Sequence, residues 1–188
     1  MMALHSFLYE WIGAGYAPTR WILFLARVIA PGGGAWICIF LMAWAWWRQP
    51  SERSYVVAVF LACGAAAILA HALAAWINLP RPFMLGLSPS YIEHGSRGAL
   101  PSTHAVVMFT AALLFLVRRR LRSVGIVLTV IAAVTGWARV YVGVHFPLDI
   151  VAGLLLAAVL AVTFLTLQKL WHHFVATART AHRRAADM

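Results

Sequence analysis

Long apolar runs separated by short polar stretches dominate the chain. The runs cover residues 21–47, 55–79, 103–117, 123–138 and 148–168. An α-helix rises ~1.5 Å per residue, so about 20 residues are needed to cross ~30 Å of hydrocarbon. The pattern therefore predicts an all-α, polytopic membrane helix bundle of five to six helices, with five spans and an N-terminal helix that does not need to span.

The N-terminal segment is mildly amphipathic between residues 3 and 17, with its larger apolar side chains on one side: Phe7, Leu8, Trp11 and Ile12. The start of the chain lacks the basic residues of a cleavable signal peptide. We expect residues 1–20 to lie along the membrane surface. Whether this segment instead forms a sixth span is left open by its pattern.

Composition supports a membrane protein of one domain over residues 1–188. The chain is 63% hydrophobic with a mean hydropathy of +0.84, and only 11% of its residues are charged. Soluble domains carry about a quarter charged residues. Cys38 and Cys63 each lie inside an apolar run, which is typical of small buried side chains and indicates neither a disulfide nor a metal site.

The net charge of +10 is concentrated in short loops. Ten of the fifteen Lys and Arg lie in the 48–53 loop, the 118–122 loop and the segment after residue 168. With five spans these three regions share one side, and positive charge marks the cytoplasmic side. We therefore expect a cytoplasmic C-terminus with a basic tail at 171–188 that interacts with membrane lipids. Nucleic acid is not an expected partner.

The third and fourth apolar runs are short, at 15 and 16 residues. They rise only ~23 Å from the cytoplasmic arginines, so the residues at their far ends, including His104 and Arg139, are expected slightly below the outer interface. A buried arginine there needs an anionic partner. Asp149, Glu93 or a lipid phosphate are the candidates.

The stretch from Trp137 to Asp149 combines three chemically active side chains between two apolar runs: Arg139, His145 and Asp149. Pro147 suits the first position of a helix, which places Asp149 in its first turn, near His145. The carboxylate can then bind one imidazole nitrogen and leave the other as a nucleophile. The alternative is that Asp149 only satisfies the helix start, with His145 at an interface.

Two further elements belong to the same predicted face. Arg81 lies between two prolines that restrict its backbone. The sequence Pro101-Ser102-Thr103-His104 opens the third run, where free N–H groups and hydroxyls form an anion site, although an ordinary helix cap would use the same residues. Arginines, a helix N-terminus and two histidines suit phosphoryl transfer. The arginines would repel a cation, so no metal is expected.

Together, Arg81-Pro82, Pro101-Ser-Thr-His104 and Arg139 followed by His145 and Asp149 resemble the three-part pattern of the type-2 phosphatidic acid phosphatase superfamily, over about residues 55–165. The resemblance implies that His145 is a nucleophile forming a phosphohistidine, oriented by Asp149. It implies that His104 is the general acid and then base. Phosphate would be held by Arg81, Ser102, Thr103 and Arg139, without a cofactor.

Within that superfamily, the Pro-Arg-Pro-Phe run and the strip ending at Asp149 are most similar to bacterial undecaprenyl-diphosphate phosphatases. This similarity implies a polyprenyl diphosphate substrate and an active site on the outer side of the bacterial cytoplasmic membrane, where the carrier lipid is recycled for cell-wall synthesis. A phosphatase or phosphotransferase for another lipid phosphate, such as phosphatidylglycerol phosphate or lipid A, remains an alternative. A non-enzymatic anion transporter is a third.

The chain departs from the family pattern at Ala74, where a lysine is usual, and at Thr103 and Ala138, where glycine and serine are usual. Losing the lysine removes a phosphate contact and leaves the choice between monophosphate and diphosphate open. Arg27, ~30 Å from the cytoplasmic end of its helix, is a candidate to hold a second phosphate. It would otherwise extend to the membrane surface.

The polar loop after the second run holds further charged and titratable residues. His94 is placed where it can approach a substrate, and Glu93 and Arg97 are expected to pair across a turn. Such exposed pairs contribute little to stability.

Overall fold

A computed structural model describes residues 2–96 and 98–186, with side chains described at 5–96 and 98–177. Arg97, with its expected pairing to Glu93, lies outside the described residues. The side chains of the last basic residues in the predicted tail also lie outside them: Arg179, Arg183 and Arg184.

Within the described residues all regular secondary structure is helical, which confirms the predicted all-α fold. The helices are α1 (Met2–Ile12), α2 (Arg20–Val28), α3 (Gly34–Arg48), α4 (Arg53–Ile77), α5 (Thr103–Val117), α6 (Arg122–Tyr141) and α7 (Pro147–Ala186). A π-helical turn, Ile29–Gly33, joins α2 to α3, and short 3-10 turns cover Pro50–Glu52 and Pro82–Leu85.

Four helical stretches in the described chain are long and apolar enough to cross a membrane: Arg20–Arg48, Pro50–Leu85, Arg122–Tyr141 and Pro147–Thr177. The protein is a multi-pass membrane helix bundle. Two ends of this bundle can be distinguished. The basic end carries the α3–α4 and α5–α6 connections, and the site end carries the 78–102 loop, the 142–146 loop and α1.

The short helix α5 lies at the centre of the bundle, where it packs against α4, α6 and α7. It has the predicted bounds, 103–117, and most of its side chains are buried. A helix surrounded by other helices buries its apolar side chains against protein and not against lipid. Helix α5 can therefore be shorter, at 15 residues, than the ~20 residues of a lipid-exposed span.

The fourth predicted run is longer than expected. Helix α6 reaches Tyr141 and has 20 residues, so Arg139 lies inside its last turn and not in the segment that follows. The sequence contains no glycine or proline between Gly136 and Gly143 that would end the helix earlier.

Helix α7 also continues beyond the apolar run predicted at 148–168, to a total of 40 residues. The sequence after Gly153 contains no further glycine or proline, and its many Ala, Leu, Lys and Arg residues favour a helix. The first part of the expected basic tail, from residue 171, is therefore helical, with His172 and His173 exposed.

Helix α1 is too short, at 11 residues, to cross a bilayer. Its buried side chains are His5 and Tyr9, whose rings contact Phe146 edge-on at centroid distances of 5.0 and 5.8 Å. The Tyr9 hydroxyl shares a 2.5 Å hydrogen bond with the Ser88 hydroxyl. The predicted apolar side remains outside, with Trp11 79% exposed. Helix α1 therefore covers the loops of the site end with the face that the apolar pattern did not indicate.

The Pro31–Gly34 sequence interrupts the first long helix. The Gly34 N–H donates to the Ile29 carbonyl, five residues back, where an α-helix would use four. Gly34 also lies directly against α6, because a Cβ at this position would collide with the Thr135 hydroxyl. The interruption therefore brings the α2–α3 helix close to α6.

Candidate active site

A cavity of about 450 Å³ lies at the site end of the bundle. Its walls come from α4, the 78–102 loop, the start of α5, the end of α6 and the 142–146 loop. The lining residues are His71, Ala74, Arg81, His94, Gly95, Gly98, Pro101, Thr103, His104, Arg139 and His145. The cavity thus collects residues from all three motifs that the sequence places far apart.

His145 and Asp149 form a buried pair at the start of α7. The Nδ1 atom of His145 lies 3.2 Å from Oδ2 of Asp149, and the same oxygen accepts a 2.8 Å hydrogen bond from the Phe146 N–H. Because a carboxylate accepts, Nδ1 is the protonated nitrogen and Nε2 carries the lone pair. One oxygen of Asp149 therefore contacts both the helix start and the imidazole, so the two contacts that the sequence analysis weighed as alternatives occur together.

The loop that carries His145 depends on Gly143, whose φ of +84° is favourable for glycine. A Cβ at Gly143 would also lie 2.7 Å from the Pro89 carbonyl oxygen. Glycine thus lets the two loops of the site end pack against each other.

Burial lowers the pKa of His145 well below its usual value, and the neighbouring charges of Arg139 and Arg81 lower it further. The imidazole is therefore neutral at neutral pH. Only the neutral form has the lone pair that a nucleophile needs.

Arg81 is 5% exposed and is held by carbonyl groups from two loops. Its Nη1 donates to the Val144 carbonyl at 2.6 Å, and its Nη2 donates to the Gly98 carbonyl at 3.1 Å. Nη1 also lies 3.3 Å from Nε2 of His145, the nitrogen that carries the lone pair. The guanidinium is therefore fixed beside the candidate nucleophile.

Arg139 has partners that the sequence analysis did not anticipate. Its Nη1 donates to the Ala30 carbonyl at 2.6 Å, and its Nη2 lies 2.8 Å from Nε2 of His94. The hydrogen-bond partners of Arg139 in the described chain are thus a backbone carbonyl at the break between α2 and α3 and a loop imidazole, and not the local candidates Asp149 and Glu93. The buried Nε atom of Arg139 has no hydrogen-bond partner within the described part of the chain.

The start of α5 forms part of one wall of the cavity and is its candidate anion site. Thr103 and His104 line the cavity, whereas Ser102 is fully buried beside it. The Ser102 N–H donates to the Asp149 carbonyl at 3.2 Å, but its hydroxyl has no partner among the described residues. The next N–H groups, at the beginning of the helix, have no intrahelical acceptors.

Arg27 does not line this cavity. It borders an adjoining, more open groove of about 850 Å³ formed with residues 90–95, and its Nε donates to the Tyr91 carbonyl at 2.7 Å. The two spaces share His94 and Gly95 in their walls. Arg27 therefore lies beside the cavity that His145 lines, and His94 and Gly95 lie between the two spaces.

His71 and His94, which belong to none of the three motifs, also line the cavity. The departure at Ala74 also falls on the cavity wall, whereas Ala138 is buried in the α2–α6 contact. The signal for His94 was weak: a single histidine in a polar loop between two motifs.

Comparisons with known proteins identify the family to which the chain is similar. Residues 55–172 match the PAP2 superfamily. The chain is 32% identical over 152 residues, 81% of this chain and 76% of the relative, to Escherichia coli (strain K12) YbjG, provisionally named an undecaprenyl-diphosphatase. It is 26% identical over 142 residues, 75% of this chain and 72% of the relative, to the Bacillus subtilis (strain 168) undecaprenyl-diphosphatase BcrC.

Two solved structures share the fold. A PAP2-type phosphatidylglycerolphosphate phosphatase from Bacillus subtilis superposes with a TM-score of 0.65 and 20% identity, over 89% of this chain and 86% of its own. Aquifex aeolicus LpxE gives the same TM-score and identity over 88% of this chain and 94% of its own. With more than half of its length matched to the family, this chain belongs to the PAP2 superfamily.

Proposed function

We propose that this protein is a membrane lipid phosphatase that hydrolyses undecaprenyl diphosphate, or a closely similar polyprenyl diphosphate, to the monophosphate and inorganic phosphate. The observation that carries the proposal is the hydrogen-bonded pair of His145 and Asp149, with Nε2 of His145 beside Arg81 in a cavity that His104 and Arg139 also line. No metal or cofactor takes part in the proposed reaction.

In the first step, Nε2 of His145 attacks the terminal phosphorus. A P–N bond forms while the bond from phosphorus to the bridging oxygen breaks, and His104 protonates that oxygen as it leaves. Arg81, Arg139 and the N–H groups at the start of α5 neutralise the oxygens of the transferring group. Asp149 stabilises the imidazole as its charge develops.

In the second step, water attacks the phosphohistidine. His104, now neutral, takes a proton from the water, the P–N bond breaks, and inorganic phosphate leaves. The role of Ser102 and Thr103 in this account is to hold the same phosphoryl oxygens in both steps. Ser102 offers a buried hydroxyl with no other partner in the described chain.

Several observations support the diphosphate substrate and its location. Both of the curated relatives described above carry undecaprenyl-diphosphatase names. Arg27 lies in the groove next to the cavity, where we propose that it attracts the additional phosphate charge. Six arginines lie in the 48–53 and 118–122 segments at the basic end, opposite the site. The positive-inside rule therefore supports an active site on the outer side of the bacterial cytoplasmic membrane and a cytoplasmic C-terminus.

A second candidate is a phosphatase for another lipid phosphate, such as phosphatidylglycerol phosphate or lipid A. It is favoured by Ala74, which leaves the cavity wall without a cation at this position. A phosphotransferase would differ only in the acceptor of the second step, a lipid hydroxyl instead of water.

A substrate panel tests the proposal. Detergent-solubilised protein in EDTA is given undecaprenyl diphosphate, undecaprenyl phosphate, phosphatidylglycerol phosphate and lipid A, and phosphate release is measured. We expect the diphosphate to give the highest kcat/KM and EDTA to have no effect. A higher kcat/KM for another lipid would contradict the substrate assignment. An absence of turnover on every lipid would contradict the proposal that the protein is a lipid phosphatase.

A further inference from the structure

His94 makes two contacts that together define its protonation state. Its Nδ1 lies 3.1 Å from the Gly95 carbonyl oxygen, and its Nε2 lies 2.8 Å from Nη2 of Arg139. A carbonyl oxygen only accepts, so Nδ1 carries the proton. A guanidinium only donates, so Nε2 is the acceptor. Burial, then the charges of Arg81 and Arg139, lower the pKa of His94, in agreement with a neutral ring.

His94 is the second of two hydrogen-bond partners that fix the guanidinium of Arg139. The Ala30 carbonyl holds Nη1 and the His94 ring holds Nη2, so two partners from different parts of the chain set the plane of the guanidinium. The buried Nε of Arg139 has no partner within the described residues. This N–H is thus the donor of Arg139 that neither of the two partners uses.

The ring of His94 also lies close to the candidate nucleophile. The ring centroids of His94 and His145 are 6.2 Å apart, with the planes at 82°. His94 belongs to the walls of both the catalytic cavity and the outer groove that contains Arg27. It is therefore close to the phosphoryl position, and it comes from a loop outside the three family motifs.

We propose that His94 is a positioning residue: as a neutral hydrogen-bond acceptor, it orients Arg139 toward the phosphoryl group without neutralising the arginine. The inference rests on the proposed function for the identity of the bound group. A carboxylate at this position would also orient Arg139. However, it would cancel the positive charge and repel the phosphate, so an imidazole suits the task better.

The test uses anion binding as well as turnover, with three variants of His94. His94→Ala removes the acceptor, His94→Gln keeps a neutral acceptor, and His94→Glu supplies a charged one. Ser96→Ala, exposed in the same loop and lining neither space, is the control. The affinity for orthovanadate is measured from the rise in Tm of the solubilised protein, which needs no turnover, and kcat and KM are measured with the diphosphate.

We expect His94→Ala to weaken vanadate binding and lower kcat/KM by about 10- to 100-fold, the usual effect of a misplaced catalytic group. His94→Gln should recover most of this loss, and His94→Glu should bind vanadate no better than the alanine variant. A vanadate affinity of His94→Ala equal to the wild type, or the same loss for Gln as for Ala, would overturn the inference. If vanadate follows the expected order while no lipid is hydrolysed, the proposed function fails and the inference stands.

Discussion

The imidazole of His145 donates its Nδ1 proton to Oδ2 of Asp149 over 3.2 Å, and both side chains are almost completely buried. The four-residue spacing alone does not produce this contact. It depends on Pro147, which starts α7 between them, and on Gly143, whose positive φ turns the chain back after α6. The pair therefore fixes a single tautomer of the histidine, with Nε2 unprotonated on the cavity side.

Replacing Asp149 with asparagine removes the charge while leaving the size of the side chain unchanged. An amide can present its NH2 group to the imidazole and favour the wrong tautomer. In a comparable His–Asp pair this costs about 10⁴-fold in kcat. We expect Asp149→Asn to lower kcat by about 10³- to 10⁴-fold with a small change in KM. The measurement is steady-state phosphate release, and a loss below tenfold would show that Asp149 only caps the helix.

The pH dependence should follow the lowered pKa of His145. The pKa lies well below 6.5, so the nucleophile stays neutral as the pH falls through 6.5, and its protonation begins only at lower pH. We expect the acid limb of the kcat/KM profile assigned to His145 to lie below pH 6.5. Because the unfolded state binds this proton more readily than the folded one, stability should also decline as the pH falls below 6.5.

A pH–kcat/KM profile in detergent provides the measurement for this titration. An acid limb for His145 at or above pH 6.5 would contradict the account. Arg139→Gln gives an internal check, because removal of a neighbouring positive charge should raise the pKa of His145 and move the limb to higher pH.

The break between α2 and α3 should matter for activity because it supplies the Ala30 carbonyl to Arg139. A Cβ at Gly34 would collide with the Thr135 hydroxyl and meet Ile131 Cγ2 at 3.5 Å. We expect Gly34→Ala to reduce the free energy of unfolding by about 1–3 kcal/mol through overpacking and to lower kcat/KM as well. Thermal unfolding and phosphate release are the measurements.

Gly64→Ala is the matched control for this change. It also replaces a glycine in an apolar helix, but a Cβ there meets no atom within 4 Å. Its stability should stay equal or rise by up to about 1 kcal/mol, as expected for alanine in a helix. If Gly34→Ala and Gly64→Ala change the free energy of unfolding equally, the close contact of α3 with α6 at Gly34 would be excluded.

Arg27 should distinguish diphosphate from monophosphate substrates. It borders the groove next to the cavity, not the cavity itself. If it attracts the second phosphate, Arg27→Ala should lower kcat/KM for undecaprenyl diphosphate by about 10-fold, within the range for a lost charge-assisted contact, and leave a lipid monophosphate nearly unchanged. The same loss on both substrates, or none on either, would remove Arg27 from the substrate account.

The sequence predicted those features that depend on local signals. The bounds of α5 follow from Pro101 and Ser102 on one side and the arginines from Arg118 on the other, and Pro147 marks the start of α7. The bounds of these helices thus follow from residues within a few positions of one another. The three motifs together also predicted that Arg81, His104, Arg139 and His145 meet, and all four line one cavity.

The remaining features depend on contacts between distant residues, which no local pattern encodes. The Ala30 carbonyl that holds Arg139 is 109 residues away in sequence, and His94 is 45 away. The buried face of α1 is not the one that the apolar pattern predicts. Its buried side chains, His5 and Tyr9, carry polar atoms, whereas the purely apolar side chains Phe7 and Trp11 are exposed. Helix α6 continues past the predicted end at residue 138 to Tyr141, because the charged Arg139 is accommodated inside the last turn by contacts with Ala30 and His94.

Capture of the covalent intermediate tests the central claim most directly. His104→Ala lacks the group that protonates the leaving oxygen and then activates water. A substrate with a good leaving group, such as a labelled aryl phosphate, should still phosphorylate His145, but hydrolysis should be slow. We expect acid-labile, base-stable label on the peptide that contains His145, with none in the double variant His104→Ala/His145→Ala. Label on another residue, or retained by the double variant, would contradict His145 as the nucleophile.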